Sequence, residues 1–221
     1  MDGKILAAAF AVSAVLFLSG LGLGLLVSEE KADYLGAQVE QVDSDIESLQ
    51  LEFLLLDTIG ENATCRLVKD RLREVNSQSY ELGNKVGAYE DNEEGINGES
   101  LDLLKRAYYH SLIKYWIFNK KVEDVCGEKT ANIIYFFVRD CSACQDQGVV
   151  LSYYKEVLGE NLLVFPISAD FEDPFVQTLN GYYNVTSYPA LVINGEKHEG
   201  FLSKKELGDR LCQTGQSLPI C

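Results

Sequence analysis

The chain has 221 residues, with 19 Lys and Arg set against 34 Asp and Glu for a formal net charge of -15. That length holds one domain of ordinary size plus a further segment, since domains usually contain roughly 100–150 residues. The charge excludes nucleic acid as a partner, because a phosphate backbone would be repelled rather than neutralised.

From Ile5 to Val27 the run ILAAAFAVSAVLFLSGLGLGLLV carries no charged residue, and a helix needs about 20 apolar residues to cross a bilayer. The apolar core of a cleaved signal peptide is shorter, about 7–15 residues, and ends at a small-x-small site. No such site follows here, and no cysteine near the end of the run offers a lipid attachment point, so an uncleaved transmembrane anchor is expected over residues 1–28. Lys4 and the terminal amine on one flank, against SEEKAD on the other, favour an N-terminus on the cytoplasmic side. Residues 29–221 then lie outside the cytoplasm, where disulfides persist, and an even count of six cysteines suits that compartment. The sequons NAT at Asn62 and NVT at Asn184 are compatible with it, although motifs this short recur by chance. Gly20 and Gly24 form a GxxxG pair of the kind that packs two anchors together.

After the anchor, apolar residues at Leu35, Val39, Val42, Ile46, Leu49, Phe53 and Leu56 alternate by four and three, which is a heptad seam. A second seam runs through Val68, Leu72, Val75, Leu82, Val86 and Tyr89, with Ser79 in one position. A third runs through Leu101, Leu104, Tyr108, Tyr115, Phe118 and Val122. The breaks DTIGENAT and EDNEEGINGES separate three predicted helices within an α-helical stalk or platform over residues 29–127. Short breaks favour an antiparallel hairpin within one chain, and a parallel coiled-coil homodimer through the first helix is the alternative. Nothing in this region reads as catalytic: His110 is a lone histidine on a helix, expected to be an ordinary surface or core residue.

From Asn132 the texture changes to short apolar runs alternating with helical pieces. NIIYFFV is a predicted strand, QDQGVVLSYYKEVLG a helix, NLLVFPIS a second strand, and DPFVQTLNGYY a helix opened by Asp173 with Pro174 in its first turn. PALVING and KHEGFL follow as paired strands turning at Asn194 and Gly195, and SKKELGDRLC closes the chain as a helix capped by Ser203. The order β-α-β-α-β-β-α predicts an α/β domain over residues 128–221, with the first two strands parallel and the last two an antiparallel hairpin.

On this map Cys141-Ser142-Ala143-Cys144 falls where the first strand ends and the first helix of the domain begins. The partial positive charge and unpaired N–H groups of a helix N-terminus stabilise a thiolate on the first cysteine. With two residues between them, the second thiol can attack a mixed disulfide and release its product. Cys141 is therefore the candidate attacking thiol and Cys144 the resolving one. A zinc site would need two more ligands, and His110 and His198 are not spaced to supply them. A purely structural role for so short a loop is disfavoured, because closing it removes little chain entropy. Cys212 and Cys221 flank QTGQSLPI and are expected to form a structural disulfide, and by elimination Cys65 pairs with Cys126.

The strand-CxxC-helix arrangement, the element order and the segment SYPALVING make residues 132–212 resemble a thioredoxin-fold domain. The resemblance implies a thiol-disulfide oxidoreductase, needing no cofactor, in which Pro189 is a cis residue facing the active-site cysteines and Tyr188 offers its backbone to a substrate peptide. It implies protein thiols and disulfides as substrates and a membrane or extracytosolic partner that exchanges electrons with the dithiol. Departures from the family are specific. Asp140 stands where thioredoxins carry Trp, and its charge opposes thiolate formation, with Arg139 alongside to offset it. Tyr135 stands where they bury an acid, and the domain lacks their extra leading strand. The pair Ser142 and Ala143 differs from the Gly-Pro, Pro-His and Gly-His pairs of better-known branches, so no redox potential carries across. The reading from another class is a non-catalytic docking module that displays a thioredoxin-like fold on a helical stalk.

Overall fold

The computed structural model describes residues 10–21, 44, 48, 51, 54, 61–91, 98–127, 130–213 and 218–221. Residues 10–21 form helix α1. Its large apolar side chains are exposed, Phe17 at 70% and Leu16 at 67%. Among the described residues no helix is long and apolar enough to cross a membrane. The remaining parts of the uncharged run, residues 5–9 and 22–27, lie outside the described residues, as do Gly24 and every position of the first heptad seam.

The second and third seams form α2 (Glu61–Asp91) and α3 (Gly98–Cys126). Leu72, Val75, Leu82 and Val86 of α2 are buried with Leu104, Tyr108, Tyr115 and Val122 of α3. The two helices run antiparallel: Cys65 near the start of α2 is bonded to Cys126 at the end of α3, and at the other end Lys105 pairs with Glu90 at 2.5 Å. Gly83 allows the close approach, since a Cβ there would lie 2.6 Å from the Tyr108 hydroxyl. The seams are therefore satisfied inside the chain as a helical hairpin, the arrangement favoured by the short break between them.

The apolar runs after residue 130 form β1 (Ala131–Phe137), β2 (Leu162–Ser168), β3 (Ala190–Ile193) and β4 (Glu196–Glu199). They make one sheet in the order β2-β1-β3-β4. β1 and β2 are parallel, with Ile134 opposite Phe165, while β3 runs antiparallel to both β1 and β4. The helices between are α4 (Ser142–Leu158), α5 (Pro174–Tyr182) and α6 (Lys204–Gln213). A short 3-10 turn, Gly159–Asn161, joins α4 to β2. The predicted order β-α-β-α-β-β-α is thus the observed one. At the β3–β4 turn Asn194 and Gly195 have φ of 48° and 97°, left-handed values that Asn and Gly tolerate best, and that β-hairpins of this length require. Ser203 caps α6 reciprocally with Glu206: its hydroxyl accepts from Glu206 N at 3.3 Å, and its own N–H donates to the Glu206 carboxylate at 2.9 Å.

Side chains alternate across the sheet, as strand geometry demands. Ala131, Ile133 and Tyr135 of β1 face a cluster with Leu151, Leu158, Leu207 and Leu211 from α4 and α6. Ile134 and Phe136 face the opposite cluster, and this second core is continuous with the hairpin, taking in Tyr109, Leu112, Ile113 and Tyr115 of α3 together with Val176 of α5. The result is a three-layer α/β/α arrangement in which the helical hairpin, with α5, covers one face of the sheet. Cys212 and Cys221 are bonded and hold the last residues, including buried Leu218, near α6.

Candidate active site

β1 delivers the chain to the site. After Phe137 it turns through Arg139 and Asp140, and Asp140 adopts φ of 55°, a left-handed conformation that Asp accepts more readily than most residues with a Cβ. The turn places Cys141 at the N-cap of α4 in an extended conformation, φ -115° and ψ 99°. There its Sγ accepts a hydrogen bond from the Cys144 amide at 3.1 Å, and its carbonyl accepts from the Gln145 amide at 3.1 Å. A sulfur in this position receives the free N–H groups and the dipole of the helix, both of which favour negative charge on it.

Cys141 and Cys144 are joined as a disulfide. They differ in access: Cys141 is half-buried, whereas Cys144 is 3% exposed and belongs to the cluster under α4. Beneath them lies Tyr135, whose hydroxyl donates to the Cys144 carbonyl at 2.6 Å and whose ring stacks on Phe137. Burial pushes the Tyr135 phenol well above its ordinary pKa, so it stays a neutral donor. Tyr188 and Pro189 precede β3. Their peptide bond is cis, Pro189 is buried, and its carbonyl accepts from Gly200 N at 2.7 Å. Tyr188 rests against the same cluster as Cys141 and Cys144, and its hydroxyl donates to Asn180 at 3.2 Å. Cys141, Cys144, Tyr188 and Pro189 thus meet at one end of the sheet, while the Cys65–Cys126 and Cys212–Cys221 bonds belong to the hairpin and the C-terminus.

Asp140 acts on Arg139 as a nearby charge, the last of the causes that raise the Arg139 pKa, but it is not the direct partner of Arg139. The Arg139 guanidinium instead pairs with Asp170, just after β2, through Nε at 2.9 Å, and the Arg139 amide donates to the same carboxylate oxygen at 3.3 Å. The physical reason is preorganisation, because the Ser168 hydroxyl donates to Asp170 at 2.6 Å and fixes its carboxylate. Burial works to raise the Asp170 pKa, but the hydrogen bonds from Ser168 and Arg139 prevail and hold it below the usual carboxylate range.

Several further contacts have no signature in the sequence. His110 is not an ordinary helix residue: its Nε2 lies 3.0 Å from the buried Asp173 carboxylate, to which Arg106 also donates at 2.7 Å. The other carboxylate oxygen of Asp173 caps α5, accepting from Phe175 N at 2.9 Å and Val176 N at 3.3 Å. One side chain therefore caps α5 and fastens it to the hairpin. On α4, fully buried Gln147 accepts from the Leu202 amide at 2.7 Å and so fixes the segment that follows β4. An Asp at an N-cap followed by Pro was the only available hint of any of these roles.

No protein-family model matches the chain, and neither does any curated protein. Solved structures similar to part of the chain include thioredoxins. Thioredoxin-2 of a malaria parasite, described as a component of the parasite's protein secretion machinery, is 20% identical over 38% of this chain and 82% of its own, with a TM-score of 0.34. A chloroplastic thioredoxin z is 20% identical over 43% of this chain and 88% of its own, with a TM-score of 0.35. A mutant thioredoxin from Halobacterium salinarum NRC-1 is 23% identical over 45% of this chain and 88% of its own, with a TM-score of 0.35.

Proposed function

We propose that this chain is a membrane-anchored thiol-disulfide oxidoreductase acting on protein substrates outside the cytoplasm. The observation that carries the reading is the asymmetric pair at the start of α4: a half-buried Cys141 whose sulfur receives a backbone N–H, bonded to a buried Cys144. In the reducing direction the Cys141 thiolate attacks one sulfur of a substrate disulfide, forming a mixed disulfide and expelling the other substrate sulfur as a thiolate that takes up a proton. Cys144, deprotonated, then attacks Cys141 Sγ. The substrate leaves as a dithiol, having gained two electrons and two protons, and the enzyme is left two electrons poorer as the Cys141–Cys144 disulfide, which a thiol donor must reduce before the next turn. The oxidising direction is the same sequence reversed, with a dithiol substrate and an electron acceptor. The sense of turnover follows from the potential of the pair relative to its partner.

Tyr188 and Pro189 would meet the substrate backbone beside Cys141. The Cys65–Cys126 and Cys212–Cys221 bonds are structural in this reading, since each lies away from the α4 N-terminus. The anchor is supported by α1, whose large apolar side chains are exposed, and by the uncharged run on either side of it. The helical hairpin would display the domain from the membrane, where a redox partner and, through the anchor, a second copy of the chain can meet it.

The test is disulfide reduction of insulin by the full-length chain in the presence of a thiol donor. Wild type should turn over, and Cys141→Ser should not, while retaining the circular dichroism and melting behaviour of the parent. Wild type that binds partners but never exchanges would favour a docking module instead.

A further inference from the structure

Two carboxylates and one guanidinium surround the turn that carries Cys141, and their pairing is not the one that adjacency in the chain would produce. Asp140 immediately precedes the thiol and is exposed. Arg139 bonds directly to Asp170, which holds both its side chain and its backbone amide and is itself held by Ser168. Among the described residues, Asp140 and Glu90 are the other charges that act on Arg139. Glu90 of α2 acts on Arg139 and Tyr109 and carries Lys105 at its carboxylate. The first turn of α4 has no acidic residue, and the groups beneath and beside the dithiol, Tyr135 and Tyr188, are phenols.

We propose that Asp170 is a positioning residue for the attacking thiol: by engaging Arg139 at two points it keeps the guanidinium from the Cys141 sulfur, while Asp140 stands directly beside that sulfur with no direct ion pair to Arg139. This rests on the oxidoreductase reading above. Its effect is to oppose the helix N-terminus, which by itself would make Cys141 strongly acidic. Neutralising Asp170 removes one negative charge and frees one positive charge that the Arg139 side chain can bring toward a sulfur two residues away.

The consequence has a definite sign and size. A unit charge at about 8 Å, in surroundings of effective dielectric about 40, moves a thiol pKa by about 0.8. Asp170→Asn should therefore lower the Cys141 pKa by about 0.5–1, and Arg139→Gln, which leaves Asp170 unpaired, should raise it by a similar amount. The double variant restores the wild-type sum of charges, and its pKa should return close to the wild-type value. Below the pKa, Asp170→Asn gains about sixfold in thiolate, and the lower nucleophilicity of a more acidic thiol reduces this to about two- to threefold in exchange rate.

The experiment is the pH dependence of iodoacetamide alkylation at Cys141, read by mass spectrometry on the reduced full-length chain for wild type and the three variants, alongside equilibration of each with glutathione. Opposite shifts in the two single variants, cancelling in the double, are the expected result. A pKa that is flat across the set, or that moves the same way in all three variants, would overturn the assignment while leaving intact the oxidoreductase reading, provided wild type exchanges with glutathione. A wild-type pair that does not exchange overturns both.

Discussion

Asp173 is the point where a single substitution probes how the helical hairpin and the sheet domain depend on each other. Its side chain is 1% exposed and makes four polar contacts, two to the amides at the start of α5 and two to Arg106 and His110 on α3. Loss of an N-cap costs about 1 kcal/mol, with a range of about 0.5–2. A hydrogen bond to a charged group contributes about 1.5–3 kcal/mol, but the Arg106 side chain is 44% exposed, and solvent screening brings that pair toward the low end of the range. Asp173→Ala should then destabilise the fold by about 3 kcal/mol. Asp173→Asn keeps an acceptor for the α5 amides and loses the charge, so it should cost about 1.5–2 kcal/mol. The assay is urea denaturation of the full-length chain with disulfides intact, comparing midpoints at unchanged slope. Burial works to raise the pKa of Asp173, but the hydrogen bonds from His110 and the α5 amides prevail and depress it. A carboxyl depressed on folding contributes stability that is present above its unfolded pKa and is lost as pH falls through the folded one. The advantage of wild type over Asp173→Asn should therefore be complete at neutral pH and vanish in acid, below the usual carboxylate range. If Asp173→Ala and Asp173→Asn were each within about 0.5 kcal/mol of wild type at neutral pH, a size ordinary for surface substitutions, the argument that this residue fastens α5 to the hairpin would be refuted.

Other outcomes follow from the same geometry. The Cys65–Cys126 bond spans a sequence separation of 61 and the Cys212–Cys221 bond one of 9. Loop closure gives them about 4 and about 3 kcal/mol respectively, so Cys65→Ala with Cys126→Ala should lower the unfolding midpoint more than Cys212→Ala with Cys221→Ala. Tyr135→Phe removes the buried donor to the Cys144 carbonyl and should cost about 1–2 kcal/mol in the same denaturation assay. It should also leave insulin reduction measurable, because the phenol does not ionise in the working range. Loss of turnover in a folded Tyr135→Phe protein would show that the hydroxyl takes part in proton transfer.

The elements of the sheet domain were legible because each has a local cause. A continuous apolar run marks β1, Asn194 and Gly195 mark a turn that needs left-handed backbone, and Ser203 with Glu206 marks the start of α6. The cysteine pair was legible for the same reason, since its chemistry depends on two thiols three positions apart between a strand end and a helix start. The second face of α3 was not. Heptad spacing identifies the stripe that meets α2, whereas Tyr109, Leu112 and Ile113 form another stripe that meets the sheet. A helix apolar on more than one side is buried on more than one side, and that was the signal available for the three-layer packing. The pairings of Arg139 with Asp170 and of Arg106 and His110 with Asp173 were beyond reach for a different reason. They join residues 31, 67 and 63 positions apart, and a charge in the sequence does not name its partner. Proximity in the chain pointed Arg139 at Asp140, but the carboxylate already oriented by Ser168 holds it.

The central claim, that Cys141 and Cys144 are a redox pair and the other four cysteines are structural, is tested most directly by equilibrating the full-length chain across a series of glutathione redox buffers. Thiols are trapped at each point and each disulfide is read separately by mass spectrometry. The account predicts that the Cys141–Cys144 bond opens and closes reversibly through a single transition while Cys65–Cys126 and Cys212–Cys221 remain closed. A Cys141–Cys144 bond that never opens under native conditions, or that opens only together with the other two as the fold is lost, would contradict it.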